Sequence, residues 1–307
     1  MLRLLAVAIL ALSALPAHSV RAQTGFSPSA AASQAAIEQR LLATADTARA
    51  RLMTRDLSAR PHMAGTRAQA DTRDYVIAKL QSWGLETWVK DYVVYLPQPE
   101  VVGAWVYARR GAPAQPLTLG EPSVAGDPAT AGPQVPSFNA YSGDGDVTAP
   151  VVNVNYGLDN DYRTLDSLGV SVRGRIAMAR YGYSFRGIKA REAERHGAIG
   201  LILYSDPQDD GYFHGDIYPR GPMRPPGGIQ RGSVLNQNGD PTTPGYASVP
   251  GAPRVQEDLL ALPRIPVIPM GYGNAQRIFA ALGGPPTSPA PLQKSHAPRW
   301  SRSRTAR

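Results

Sequence analysis

A chain of 307 residues is long enough for two domains, and without a single cysteine it has neither disulfides nor thiolate chemistry. The formal charge of +8 first suggests a nucleic-acid partner, but its distribution excludes that reading. Arg3 and Arg21 lie in the first 22 residues, and Lys294, Arg299, Arg302, Arg304 and Arg307 lie in the last fourteen; taking these seven from +8 leaves +1 for the body.

The opening MLRLLAVAILALSALPAHSVRAQ has a positive start at Arg3, an apolar run from Leu4 to Leu15 and a small-residue cleavage pattern at Val20-Arg21-Ala22. It reads as a signal peptide over residues 1–22. It is too short for a comfortable membrane span, so no spanning segment is expected after cleavage. Export to a bacterial periplasm, or secretion, follows, with Gln23 as the mature N-terminus.

Residues 24–32 are small and read as a flexible leader. From Ser33 a single amphipathic helix is expected, with Ile37, Leu41, Ala45, Ala48 and Leu52 in one stripe. RPHMAGT is a turn, and Thr66 caps a second helix that ends near Trp83 with Gly84 beyond it. Val76, Leu80 and Trp83 share a face. ETWVKDYVVYLP alternates as a strand over residues 86–95. Pro97 and Pro99 mark a boundary. VVGAWVYARR, LTLG, PVVNVNYG and RGRIAMARYG are strand-like, and DNDYRTLDSLG is a short acidic helix with a glycine stop. After Pro285 there is no apolar period, and only basic charges remain. Residues 285–307 therefore read as a disordered basic tail, which a frameshift, a true truncation or a gene-model error would each produce.

RYGYSFRGIKAREAERHGAIGLILYSDP, from Arg180, reads as strand, glycine-rich loop, helix and strand, a connection suited to parallel strands. A dinucleotide site fails on glycine spacing, and a phosphate loop fails for want of G-K-[ST]. What remains is recognition of a carboxylate by Arg186, whose guanidinium can make two parallel hydrogen bonds beside a helix start. The competing reading is a surface arginine paired with an acid.

The histidines His18, His62, His196, His214 and His296 show no paired ligand spacing, so no zinc site and no catalytic residue is expected within this chain. No serine nucleophile motif occurs. SGDGD and DPQDDG look faintly like calcium loops, but position twelve from Asp206 is Ile217 rather than glutamate, and turns are expected instead. The Gly-, Asn- and Pro-dense stretch PPGGIQRGSVLNQNGDPTTPGY, residues 225–246, is expected to line a cleft.

These stretches, followed by LPRIPVIPMGYGNAQRIF, closely resemble the protease-associated (PA) domain of the glutamate carboxypeptidase II family, which includes transferrin-receptor-like proteins. HMAGTRAQADTRDYVIAKLQSWGLETWVKDYVVYLPQPE resembles the segment that precedes this domain. The resemblance implies an α+β fold: a β-rich PA domain with flanking helices at 99–284, preceded at 23–98 by helices and a strand of a truncated α/β zinc-peptidase domain. It implies di-zinc exopeptidase chemistry for full-length members, with the zinc ligands and catalytic glutamate beyond the residues present here. It also implies a peptide with a free C-terminal carboxylate as ligand, and dimerisation through a region absent here. Arg186 matches the arginine that contacts the substrate carboxylate. Ser233 stands where glutamate-specific members place an asparagine, and Tyr183 where they place a lysine. Thr243 and Tyr246 match the PA-domain contribution to a structural calcium site whose acidic ligands come from the peptidase domain. The expected function is that of an exported exopeptidase fragment carrying the substrate-capping domain and inactive alone. The alternative is a non-catalytic PA module that binds peptides or partner proteins.

Overall fold

The computed structural model describes residues 24–282, which divide into two compact units at Ser58/Ala59. The signal-peptide and basic-tail readings fall outside the described residues. No helix among the described residues is long and apolar enough to cross a membrane.

The first unit holds two helices where one was expected, α1 (Pro28–Ala43) and α2 (Thr47–Ser58). The break is a matter of capping. Thr44 Oγ1 donates to the Leu41 carbonyl and closes α1, while Asp46 accepts from the N–H groups of Ala48 and Arg49 and opens α2. The expected flexible leader is also corrected. Ser27 accepts from the Ala30 N–H, and Pro28 opens α1 inside that stretch.

In the second unit, α3 (Arg67–Ser82) starts at Thr66, whose hydroxyl accepts from the Gln69 N–H, and Gly84 follows it at φ 79°. The strand expected over 86–95 does not form. The Val93 N–H donates to the Ser248 carbonyl, the Tyr95 N–H to the Asp240 carboxylate, and Arg254 and Ser248 donate to the Val93 carbonyl. Loop and side-chain groups thus take the bonds that a neighbouring strand would take. Trp88, Val89, Tyr92 and Val93 are exposed.

Beyond this segment lie two short ladders, β1 (Trp105–Val106) antiparallel to β2 (Gln115–Pro116), and β3 (Asn139–Ala140) parallel to β7 (Gly232–Ser233). The centre is a four-stranded parallel sheet of β4 (Val151–Asn153), β5 (Ile176–Arg180), β6 (Gly200–Tyr204) and β8 (Val267–Met270), in that order. Helix α4 (Asp159–Ser167) joins β4 to β5, and α5 (Arg186–Arg195) joins β5 to β6. Alternation along the strands divides the core. Ala177, Ala179, Leu201 and Leu203 pack with Leu165, Ala190 and Ala193, whereas Met178, Tyr204 and Met270 pack with Ala275 and Ile278 of α7 (Tyr272–Ala281). A short helix, α6 (Pro207–Asp210), follows β6. The mixture of helices, small ladders and a buried sheet is the expected α+β class.

Because residues 84–92 are exposed except for the half-buried Thr87 and make few backbone bonds, limited proteolysis should cut there before it cuts any bond between Val151 and Tyr204. Mass mapping of the first fragments checks the order, and equal rates in the two regions would contradict it.

Candidate functional site

In a parallel sheet with crossover helices, ligands gather beyond the carboxyl ends of the strands. Here those ends lead into the loops after β4, β5 and β6, and their side chains interlock. Arg180, at the end of β5, donates from Nε and Nη2 to Asn155 Oδ1 at 3.1 and 2.8 Å, and its Nη1 meets Asp206 at 3.2 Å and Asp209 at 3.4 Å. The Tyr156 hydroxyl donates to Asp209 at 2.7 Å, and Arg180 Cζ lies 4.1 Å from the centre of the Tyr156 ring. Asn155 in turn donates to Asp161, whose other oxygen accepts from the Leu158 N–H and closes the first turn of α4.

Lys189 is fully buried beneath these loops and donates to the Tyr156 carbonyl at 2.6 Å and the Gly182 carbonyl at 2.8 Å. Gly182 also accepts from the Ser184 N–H, which leaves Tyr183 at the apex of a γ-turn with φ 59°. The Tyr183 ring is 78% exposed, and its face is set at 71° to the Tyr156 ring with centroids 4.5 Å apart.

Arg186 is the first residue of α5. Its Nε is buried and has no hydrogen-bond partner, and Nη1 makes only a long 3.4 Å contact with the Ser233 carbonyl. The guanidinium carbon is 5.6 Å from the ring centres of both Tyr181 and Phe185. Among the described residues, Arg180, Arg191, Arg195, Arg224, Arg231 and Arg254 all pair with acids, and Arg186 does not. The reading of Arg186 as an ordinary acid-paired surface arginine is thereby removed.

The structure brings residues 225–246 onto this helix start. The β3–β7 ladder holds Gly232 and Ser233, Asn139 donates to the Gly232 carbonyl, and Asn236 donates to the Gly187 carbonyl. Two glycines make the approach possible. A Cβ on Gly232 would overlap the Arg186 guanidinium, and one on Gly187 would overlap the Val234 carbonyl and the Asn236 side chain. The Ser233 hydroxyl accepts from the Leu235 N–H, so its proton is left to donate. Arg186 and Ser233 therefore meet, and Tyr183 sits three residues before Arg186 on the same loop. Asn139, Tyr181 and Lys189 were not expected to take part. Asn139 Oδ1 is buried without a partner, and the Tyr181 hydroxyl donates to the Gln230 carbonyl.

The calcium candidates divide. Thr243 is buried and its Oγ1 has no partner, which fits an oxygen donor, whereas the Tyr246 hydroxyl is engaged by the Pro253 carbonyl. Calcium takes roughly 6–8 oxygens, and Thr243 supplies one side-chain oxygen. Neighbouring Asp240 spends its carboxylate on Thr242, the Tyr95 N–H and Ser248. Asp159, Glu192 and His196 present ligand atoms within 4.8 Å of one another. They do not fit a zinc centre. Glu192 is clamped by Arg191 at 2.7 Å and Arg195 at 3.4 Å, and His196 is stacked on Tyr162 at 4.3 Å.

The PA domain model matches residues 147–245, which include the sheet, the Arg186 loop and Ser233. A protein of Arabidopsis thaliana named "Probable glutamate carboxypeptidase" is 35% identical over 82% of this chain and 33% of its own length. A glutamate carboxypeptidase 2 homolog of Caenorhabditis elegans is 33% identical over 77% of this chain and 32% of its own. This chain thus spans about a third of the length of these curated relatives. A zinc aminopeptidase from Bacillus subtilis of known structure shares 16% identity over 73% of this chain and 39% of that one, with a TM-score of 0.37.

Burial pushes the Lys189 ammonium down to about 8, with Asp161 pulling it back and Arg180 pushing it further. Between pH 8 and 10.5 the unfolded chain holds a proton there that the folded chain has released, so folding stability rises with pH across that window. Burial raises Tyr156, Tyr162 and Tyr204, which opposes the rise above pH 10. Denaturant unfolding of the wild type and of Lys189→Met between pH 7.5 and 10 should show a rise in the wild type that the variant lacks. Parallel profiles would refute it.

Proposed function

Because this chain carries a PA domain and is similar over most of its length to glutamate carboxypeptidases, we propose that it is the substrate-recognising part of an exopeptidase and grips the free carboxylate at the end of a peptide. The observation that carries this reading is the unpaired Arg186. A half-buried guanidinium whose Nε lies out of water without an acceptor is a costly arrangement unless a ligand completes it. A carboxylate would supply two acceptors to Nε and Nη in parallel, and would lie beside the N–H groups that open α5. The Ser233 hydroxyl stands across the ladder with a proton to donate.

Hydrolysis is assigned to no residue of this chain. Zinc, where an exopeptidase binds it, activates water and polarises the carbonyl, while the residues described here bind and orient. Calorimetry of the full chain with N-acetyl dipeptides tests the proposal. The free acid should bind at least about tenfold tighter than its amide, a difference of about 1.4 kcal/mol. Arg186→Met should remove that difference and leave the midpoint of thermal unfolding within a few degrees. The peptide should be recovered uncleaved, with or without added zinc. Equal affinity for acid and amide would refute the carboxylate reading, and cleavage would refute the assignment to binding alone.

We also propose export to a periplasm or secretion, on the strength of the charged start, apolar run and small-residue site before Gln23. The N-terminal sequence of the protein expressed in a bacterial host with its leader should begin at Gln23. Recovery of the intact leader would contradict this.

A further inference from the structure

The loop between β5 and α5 spends backbone strain to hold an aromatic ring in water. Tyr183 is not glycine, yet sits at φ 59° at the apex of a turn closed by the Ser184 N–H on the Gly182 carbonyl. Left-handed backbone at a bulky residue is disfavoured and persists only where surrounding contacts impose it. Those contacts are present. Lys189 binds the same Gly182 carbonyl from below, and the Tyr156 ring, itself fixed by Asp209 and Arg180, backs the Tyr183 ring. The result is a supported ring, 78% exposed, three residues before the unpaired Arg186. Phe185, 44% exposed, lies between them in sequence and has its ring 5.6 Å from the guanidinium carbon.

The cations of this loop and the facing one are otherwise committed. Arg180 pairs with Asp206 and Asp209, Arg224 with Asp210, Arg231 with Glu121, and Lys189 is buried on two carbonyls. A ligand held by its carboxylate on Arg186 would therefore find aromatic surface for its side chain and, among the described residues of these loops, no free cation for a second carboxylate.

We infer that Tyr183 is a specificity-determining platform, and that the residue bearing the bound carboxylate is aromatic or large and aliphatic rather than acidic. This rests on the carboxylate reading of Arg186 and adds to it the chemical class of the terminal residue. An offset-stacked or edge-to-face ring on Tyr183 supplies an attraction that a glutamate side chain cannot match.

The test uses N-acetyl-alanyl-phenylalanine, N-acetyl-alanyl-glutamate and the amide of the phenylalanine peptide, titrated calorimetrically into the full chain, wild type and two variants. Tyr183→Gly removes the ring at a backbone geometry that glycine adopts freely, so folding is preserved. Tyr183→Lys puts a cation in its place. In the wild type the phenylalanine acid should bind about three- to tenfold tighter than the glutamate peptide, the scale of one aromatic contact. Tyr183→Gly should level the two, and Tyr183→Lys should favour glutamate. Glutamate binding as tightly as phenylalanine in the wild type, or a ratio unchanged in Tyr183→Gly, would overturn the inference with the Arg186 reading intact. Equal binding of the phenylalanine acid and its amide, or no binding of any peptide, would overturn both.

Discussion

The site depends on one buried ammonium. Lys189 has no exposed surface, and it donates to the carbonyls of Tyr156 and Gly182, one on the loop after β4 and one on the loop after β5. A buried cation without a touching carboxylate is expensive. Two carbonyl dipoles, the Tyr156 ring 5.6 Å away and the field of Asp161 offset that cost. Both loops are thereby fixed from the inside. The Tyr156 ring that backs Tyr183 and the turn that presents Tyr183 share this single tie, and α5, which carries Arg186, is the helix on which Lys189 rides.

Among the buried polar atoms left without partners in the described residues, two lie close to this loop. Arg186 Nε and Asn139 Oδ1 are both buried and unpartnered, and both belong to the surroundings of Gly232: Asn139 bonds its carbonyl, and Arg186 lies where its Cβ would be. Buried polar groups in folded proteins are almost always satisfied, so two orphans beside one glycine are consistent with the carboxylate reading of Arg186 proposed above. One is a donor seeking an acceptor, the other an acceptor seeking a donor, which a purely apolar ligand would satisfy in neither case.

Much of this was legible in the sequence, for reasons that differ by element. The β5–α5–β6 unit could be read because its strands are continuous apolar runs and its helix stops at Gly197. Thr66 could be read because a cap is a local interaction. The division of the first helix was missed because the apolar stripe runs on through Ala45 and Ala48, and the deciding signal was Asp46, a polar residue competing for two N–H groups. The strand at 86–95 was misread because alternation reports faces and not a partner; Ser248, Asp240 and Arg254, some 150 residues on, occupy its bonding edge at Val93 and Tyr95. Arg186 stood out by type and by its place at a helix start. Lys189 did not, since a lysine on a charged helix reads as solvated and only the fold turns it inward.

The long-range contacts at Asp240 also couple regions that sequence alone would treat as separate. Burial pushes the Asp240 carboxyl up, but hydrogen bonds from Thr242, the Tyr95 N–H and Ser248 outweigh it and hold the group below its usual range. The latch is therefore intact above the ordinary carboxylate range and is lost only as pH falls through that lowered value. Asp240 lies seven positions after Ser233, and Val255 returns an N–H to the Thr242 carbonyl, so the joint is closed on both sides. The segment at 93–95 is thus fastened to the same loop that presents Ser233 to Arg186. The exposed Trp88, Val89 and Tyr92 therefore precede a stretch whose backbone is held by side chains and carbonyls of the loop that follows Ser233, so the extended segment is anchored although it pairs with no strand.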